Sequence, residues 1–449
     1  MSAREIRAAI GLAGIFGLRM LGLFVILPVF ALYAEKLEGG DNLTLVGVAL
    51  GAYGLAQAVL QIPFGRWSDR VGRKPALYVG LAVFAVGSAC AGYATTIYGV
   101  IAGRILQGAG AISAVAIAMA ADLTRDEHRT KVMAIIGSTI GASFAASLIV
   151  GPWLDRMIGV PGIFYLIGML AVVAIGVVAT LPTPSEQDAG AGQENVIFAE
   201  VLADRELSRL NVGIFVLHAV LMSIFITVPF DLTAAGFESA EHWKMYAAVM
   251  LGSLLFMLPC VHYGDRRGRI KPVFLLSIAL VLASQAMLLP LGRSVMGIGV
   301  ALLLFFMGFM VLEAALPSQV SRVAPAGARG TAVAVYSTVQ FLGAAFGSTL
   351  GGYLMQHAGR AGLLGVNGVM IAFWLVVAWG MRGPGALSAR TYVIPPMDAG
   401  PARDLRAKLM ALRGVREVRV HGHAGMAYLN VDAKAFDERD VLKLIAGES

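Results

Sequence analysis

Gly65-Arg-Trp-Ser-Asp69-Arg-Val-Gly-Arg73-Lys74-Pro75 is a charged interruption between two apolar runs, residues 44–65 and 75–94. Arg66, Arg70, Arg73 and Lys74 set four cations at one short turn, with Asp69 the one acid among them. Each flanking run reaches the roughly 20 residues that an α-helix needs to cross a bilayer. The turn therefore joins two membrane helices.

The rest of the chain repeats this arrangement. Of 449 residues, 58% are hydrophobic and 14% charged, and the mean hydropathy is +0.76. A soluble domain is nearer half apolar and a quarter charged, so this is a membrane protein. The net charge of +7 does not point to nucleic acid, because the cations sit in turns and in the tail without an aromatic-interleaved basic face. Cys90 and Cys260 lie inside apolar runs without CxxC spacing, which supports neither a disulfide framework nor a zinc site. Residues 8–33 are too long an apolar run for a signal peptide and form a first membrane helix. Further runs lie at 97–121, 131–152 and 162–181, then, after a polar linker (182–207), at 208–232, 243–264, 272–291, 295–321, 330–355 and 362–381. The expected fold is an all-α membrane protein with twelve transmembrane helices in two six-helix bundles, residues 1–181 and 208–382. A second linker, 383–398, leads into a soluble unit over 391–449.

Loops rich in lysine and arginine stay on the cytoplasmic side. Those residues crowd into alternate turns, at Arg66 to Lys74, at Arg125, Arg129 and Lys131, and at Arg266, Arg267, Arg269 and Lys271. The intervening turns hold Lys36, Arg156, Lys244, Arg293 and Arg360. Both termini and the opening turn are therefore expected in the cytoplasm. The halves also echo each other: Asp69-Arg-Val-Gly-Arg73 with Asp265-Arg-Arg-Gly-Arg269, Arg129-Thr-Lys-Val-Met-Ala with Arg329-Gly-Thr-Ala-Val-Ala, and Gly151-Pro152 with Gly351-Gly352. Parallel repeats place a substrate path between the halves near the bilayer midplane, which implies alternating access.

Gly65-x-x-x-Asp69-Arg-x-Gly-Arg73-Lys74 resembles motif A of the major facilitator superfamily, and Arg104-Ile-Leu-Gln107-Gly108 resembles its motif B. Gly141 through Gly151-Pro152 resembles motif C, the antiporter signature, with Ser147 where the pattern has glycine. The resemblance covers residues 8–381 and implies the major facilitator fold and secondary transport. More narrowly, the chain resembles the YajR-type bacterial efflux transporters, which carry a soluble ferredoxin-like domain after the last helix. The tail suits that unit: 392–394, 415–421 and 426–431 read as strands, and 402–412 and 438–445 as helices.

Asp69 lies where the second helix ends, at the negative pole of its dipole, and so needs a positive partner; the start of the eleventh helix near Gly330 offers one. The resemblance implies a conformational latch from Gly65, Asp69, Arg70, Gly72 and Lys74, with Arg73 paired to Asp122 at the end of the fourth helix. Arg19, Arg104, His218 and Glu313 lie inside apolar runs, where ionisable groups mark functional sites. Glu313 is the first candidate for carrying a proton and His218 the second. Arg104, by its motif B position, is implied to assist proton movement. Arg19, which keeps its charge, sets the cavity potential or pairs with an acid. Gln57, Gln61 and Gln107 are candidates for the substrate cavity, and Gln285 and Gln340 are further polar groups within helices. Gly137, Gly141, Gly343 and Gly347 have the four-residue spacing of close helix contacts.

His421-x-His423 supplies two imidazoles, too few for a metal site, and no cofactor or metal is expected. There is no P-loop and no nucleophile, base and acid set, so an enzyme is not expected. The reading is a proton-coupled exporter of small molecules that acts as a monomer, with protons and the lipid bilayer as its other partners. A uniporter or importer on the same scaffold stays open, as does a membrane-embedded sensor signalling through the tail. The tail itself reads as a regulatory module for an unknown regulator.

Overall fold

The computed structural model describes residues 3–124, 126–183, 201–266, 269–324, 329–381, 388–422, 425–431 and 435–446. The first apolar run forms two helices, α1 (Ala3–Phe24) and α2 (Leu27–Ala34). Pro28, within the first turn of α2, lacks the N–H that would extend α1 across the bend. The Asn42 side chain accepts from the N–H groups of Thr44 and Leu45 and so caps α3 (Leu43–Val71).

The charged interruption proves to be helical nearly throughout. α3 ends at Val71 and α4 (Arg73–Tyr93) begins two residues later, with Gly72 at φ 94° closing one and opening the other. A residue with a Cβ is strained at that angle. The sequence reading placed the helix ends at Gly65 and Pro75. They extend further because arginines are favoured in the last turn of a helix.

The run over 97–121 breaks into α5 (Ile97–Ala109) and α6 (Ser113–Asp122) at Gly110, which lies against the carbonyl of Gly80. α7 (Asp126–Thr180) is 55 residues long and carries one non-helical residue, Gly159 at φ 68°. The second half follows as α8 (Arg205–Ala234), α9 (His242–Arg266), α10 (Ile270–Leu291), α11 (Val295–Val323) and α12 (Arg329–Trp379). In α12, which is 51 residues long, Gly359 at φ 65° is the counterpart of Gly159. Gly39 and Gly236, also at positive φ, follow α2 and α8 in the same way. The repeat legible in the motifs is therefore present in the backbone.

Among the described residues, ten helical stretches are long and apolar enough to cross a membrane. The two that contain Gly159 and Gly359 run to 46 and 50 residues, at least twice the roughly 20 that one span needs. The stretches over α1–α2 and α8 are 83% and 89% buried against 22% for α9, so the first two are the inner helices of their halves. The halves meet along α3 and α12, where Gly47 lies against Ser348, Gly51 against Ala345 and Gly54 against Phe341. Gly343 and Gly347 press on the backbone of Phe215 and Ala219 in α8, whereas Gly137 and Gly141 have no neighbour within 4 Å of a Cβ position. The four-residue glycine spacing thus marks a close helix contact in α12 and none in α7.

The tail comprises β1 (Ser388–Val393), α13 (Ala399–Ala411), β2 (Val415–His421), β3 (Met426–Val431) and α14 (Glu438–Ala446). Its antiparallel sheet has the order β1-β3-β2. Tyr392, Ile394, Leu409, Val418, Leu429 and Val441 form its core. The first strand starts at Ser388, inside the expected linker, because it pairs along the whole of β3. His423 lies outside the described residues, as do Arg125, Arg267 and most of the linker between the halves.

Candidate functional site

At the α3–α4 corner, Arg73 is the hub. Its guanidinium pairs with Asp69 one turn back, donates to Ser68 Oγ at 2.7 Å, and reaches Asp122 at the end of α6 through Nε at 3.0 Å. The side chain of Asp122 is 20% exposed and that of Asp69 45%, so the Arg73–Asp122 pair is the less screened by solvent and the stronger. Arg70 is exposed, Lys74 is half-buried, and a Cβ at Gly65 would meet Ala114 at an ordinary 3.7 Å. Ser68, buried at this corner, was not singled out in the sequence. For Asp69 the described partner is Arg73. Among the described residues, the inter-half hydrogen bond nearest this end of α3 joins Gln61 to Thr338 of α12. Continued about two turns further, that antiparallel register sets Asp69 level with Gly330.

Inside the first half, Arg19 and Arg104 flank one aromatic ring. Arg19 donates to Ser113 Oγ of α6 and to Gln57 Oε1 of α3. Arg104 donates to Gln107 Oε1 at 3.0 Å and to the Leu50 carbonyl at 3.4 Å, and Gln107 in turn donates to Ser88 Oγ at 2.8 Å. Both guanidinium carbons lie over the Tyr53 ring, 5.7 and 5.0 Å from its centre, within cation–π range. Arg19 is 2% exposed, Arg104 1%, and Gln57, Gln61 and Gln107 are buried. Of the two roles expected for Arg19, setting the cavity potential or pairing with an acid, the second has no counterpart among the described residues, where its partners are Ser113 and Gln57, both neutral. Gln57 donates to Gln61, which donates to Thr338 of the second half; Gln107 belongs to a separate set with Arg104 and Ser88.

Inside the second half, α8, α11 and α12 converge on one cluster. The Gln340 amide nitrogen stands 2.8 Å from His218 Nε2 and 3.2 Å from Glu313 Oε1. It has two hydrogens to give, so it donates one to each. That leaves His218 Nε2 as an acceptor and the imidazole neutral. His218 Nε2 and Glu313 Oε2 are 3.8 Å apart, and the glutamate side chain keeps 21% exposure. Glu313 Oε2, His218 Nδ1 and the Tyr336 hydroxyl are buried without a hydrogen-bond partner. Phe309 packs on His218 with ring centres 5.9 Å apart and belongs to an aromatic cluster with Phe144, Phe305 and Phe306.

Sequence reading missed Tyr53, Ser113 and Thr338; a lone tyrosine in mid-span was the available signal for the first. It also missed a polar chain from Ser223 through Asn367 to Gln285, each link 3.2 Å. Arg360, read as a loop cation, instead pairs with Asp231 at 2.8 Å and donates to the carbonyls of Leu288 and Leu289 that end α10.

With this geometry in place, comparison with known proteins is decisive. The family model described as Major Facilitator Superfamily matches residues 12–242 and 210–393. The chain belongs to that superfamily. It is a membrane transporter and not an enzyme. It is 39% identical to the inner membrane transport protein YajR of Escherichia coli (strain K12) over 448 residues, covering 99% of this chain and 98% of that one. To the multidrug resistance protein MdtH of Aeromonas salmonicida (strain A449) it is 24% identical, covering 80% and 91%. Among solved structures, a D-xylose-proton symporter superposes with a TM-score of 0.65 at 15% identity, covering 84% of this chain and 98% of that one.

Proposed function

We propose that this superfamily member is a proton-coupled antiporter that exports small molecules by alternating access. The observation that carries the reading is the Glu313–Gln340–His218 cluster. One carboxylate, partly open and without a cationic partner among the described residues, sits beside a neutral imidazole and shares the Gln340 amide with it. A carboxyl in an apolar setting can hold a proton and release it when its surroundings change. When Gln340 swings aside, His218 Nε2 and Glu313 Oε2 are near enough to pass one. Arg104, as motif B, and Arg19 set the positive potential that favours release from Glu313, and Gln57, Gln61 and Gln107 form the floor of a cavity that opens between the halves.

On this reading α7 and α12 are each two spans joined at Gly159 and Gly359, making twelve transmembrane helices in two bundles. Both termini face the cytoplasm of a bacterial inner membrane, as lysine and arginine placement directs. Gly65, Asp69, Arg70, Gly72, Arg73, Lys74 and Asp122 form a cytoplasmic latch, closing when Asp69 meets the start of α12. The tail, with its β-α-β-β-α order and its sheet order β1-β3-β2, is a ferredoxin-like regulatory domain on a protein that works as a monomer. The name of one relative, a multidrug resistance protein, supports export over uptake. The test is a substrate screen in inside-out vesicles with an imposed pH gradient, reading lumenal pH and uptake together. Substrate-dependent proton release that is lost in Glu313→Gln is the expected result; uptake that proceeds unchanged after the gradient is collapsed would overturn the coupling.

A further inference from the structure

We propose that Arg19, Arg104 and Tyr53 form the subsite for the headgroup of the transported molecule, an amphipathic organic anion bearing one carboxylate, sulfonate or phosphate. The proposal rests on the transporter reading above and names the substrate class of that site. Two guanidinium groups, both essentially inaccessible to solvent, stay charged because arginine does not deprotonate in proteins. Among the described residues no carboxylate is within ion-pair distance of either. Ser113, Gln57, Gln107 and the Leu50 carbonyl orient them without neutralising them. Glu5, the acid of α1, is about 21 Å away along the helix. Buried charges in proteins are paired or bind a ligand ion, and a counter-ion supplied by the substrate completes this site.

The donors for such a headgroup are present and unused. Arg19 Nε, Arg104 Nε and the Tyr53 hydroxyl are all buried without a hydrogen-bond partner, and the Tyr53 ring lies between the two guanidinium groups. The side chains around them suit contact with an apolar body. Phe84 of the first half and Phe341 of the second each stand 6.4 Å from the Tyr53 ring, so the subsite borders the junction between the halves. The same positive charge repels a cationic substrate, which excludes the ammonium compounds from the class.

The test uses the full-length protein in phosphatidylcholine nanodiscs, with naphthoate and naphthalenesulfonate as anionic probes and naphthamide and naphthylmethylammonium as neutral and cationic controls. Equilibrium binding and thermal unfolding need no gradient, so failure of proton coupling would leave this result intact. We expect the two anions to bind and to raise Tm while the controls do not, with Arg19→Gln and Arg104→Gln each weakening anion binding by about tenfold or more. Tyr53→Phe, which keeps the ring and the fold, should weaken it severalfold. Equal binding of the amide or the ammonium, or anion binding unchanged in all three variants, would overturn the proposal. Competition by phosphatidylglycerol at the potency of the probes would overturn it also, by assigning the subsite to a lipid headgroup.

Discussion

At Glu313 the decisive chemistry is a carboxylate whose neighbours are an amide, a neutral imidazole and aromatic rings, with no arginine or lysine among the described residues to hold its charge. Glu313→Gln keeps the shape and removes the titration, so proton flux coupled to transport should fall about a hundredfold or more while unfolding temperature changes little. The measurement is lumenal pH in vesicles beside a thermal melt. At the opening corner, Asp122 gives Arg73 its better shielded partner. Asp122→Asn should cost about 1 kcal/mol and Asp69→Asn a few tenths, following their exposure, read from denaturant midpoints. Glu313, His218, Arg19 and Arg104 were legible because ionisable residues in apolar runs stand out. Their partners were not, since Gln340 and Thr338 meet them only through the contact of separate helices, which no local spacing encodes.

Among the elements, Gly159 and Gly359 hold the same left-handed kink in the two halves. A Cβ at Gly359 would meet nothing within 4 Å, so Gly359→Ala isolates the conformational cost, about 1–3 kcal/mol, measurable as a lower Tm. Gly347→Ala should cost more, because its Cβ would strike the Ala219 backbone. The paired kinks escaped the sequence reading because each lies inside an unbroken helical pattern, and a glycine alone does not declare its φ. In the tail, burial and the adjacent Glu438 push the Tyr392 hydroxyl up to about 12. A raised pKa means that stability is fully present below the ordinary tyrosine value near 10 and is lost as pH rises toward 12. Protease resistance of the tail in the full-length protein should therefore fall between about pH 10 and 12, and Tyr392→Phe should lessen that fall.

Across the whole molecule, two repeated halves meet along α3 and α12, and the continued register of that contact carries Asp69 toward the start of α12. Asp69→Asn should slow transport while membrane insertion and folding persist; wild-type transport by a well-expressed variant would remove the latch from the account. The two-bundle plan was legible in the sequence because hydropathy and cation placement are long-range signals that survive without structure. The closeness of the halves was not, since it depends on which glycines face a neighbouring backbone, and α12 uses its spaced glycines where α7 does not. The claim on which the functional account turns is that Glu313 exchanges a proton within the working pH range. Infrared titration of the full-length protein in lipid measures this directly. A protonated-carboxyl band that disappears on raising pH in the wild type and is missing in Glu313→Gln is the predicted result; an identical titrating band in both proteins would contradict it.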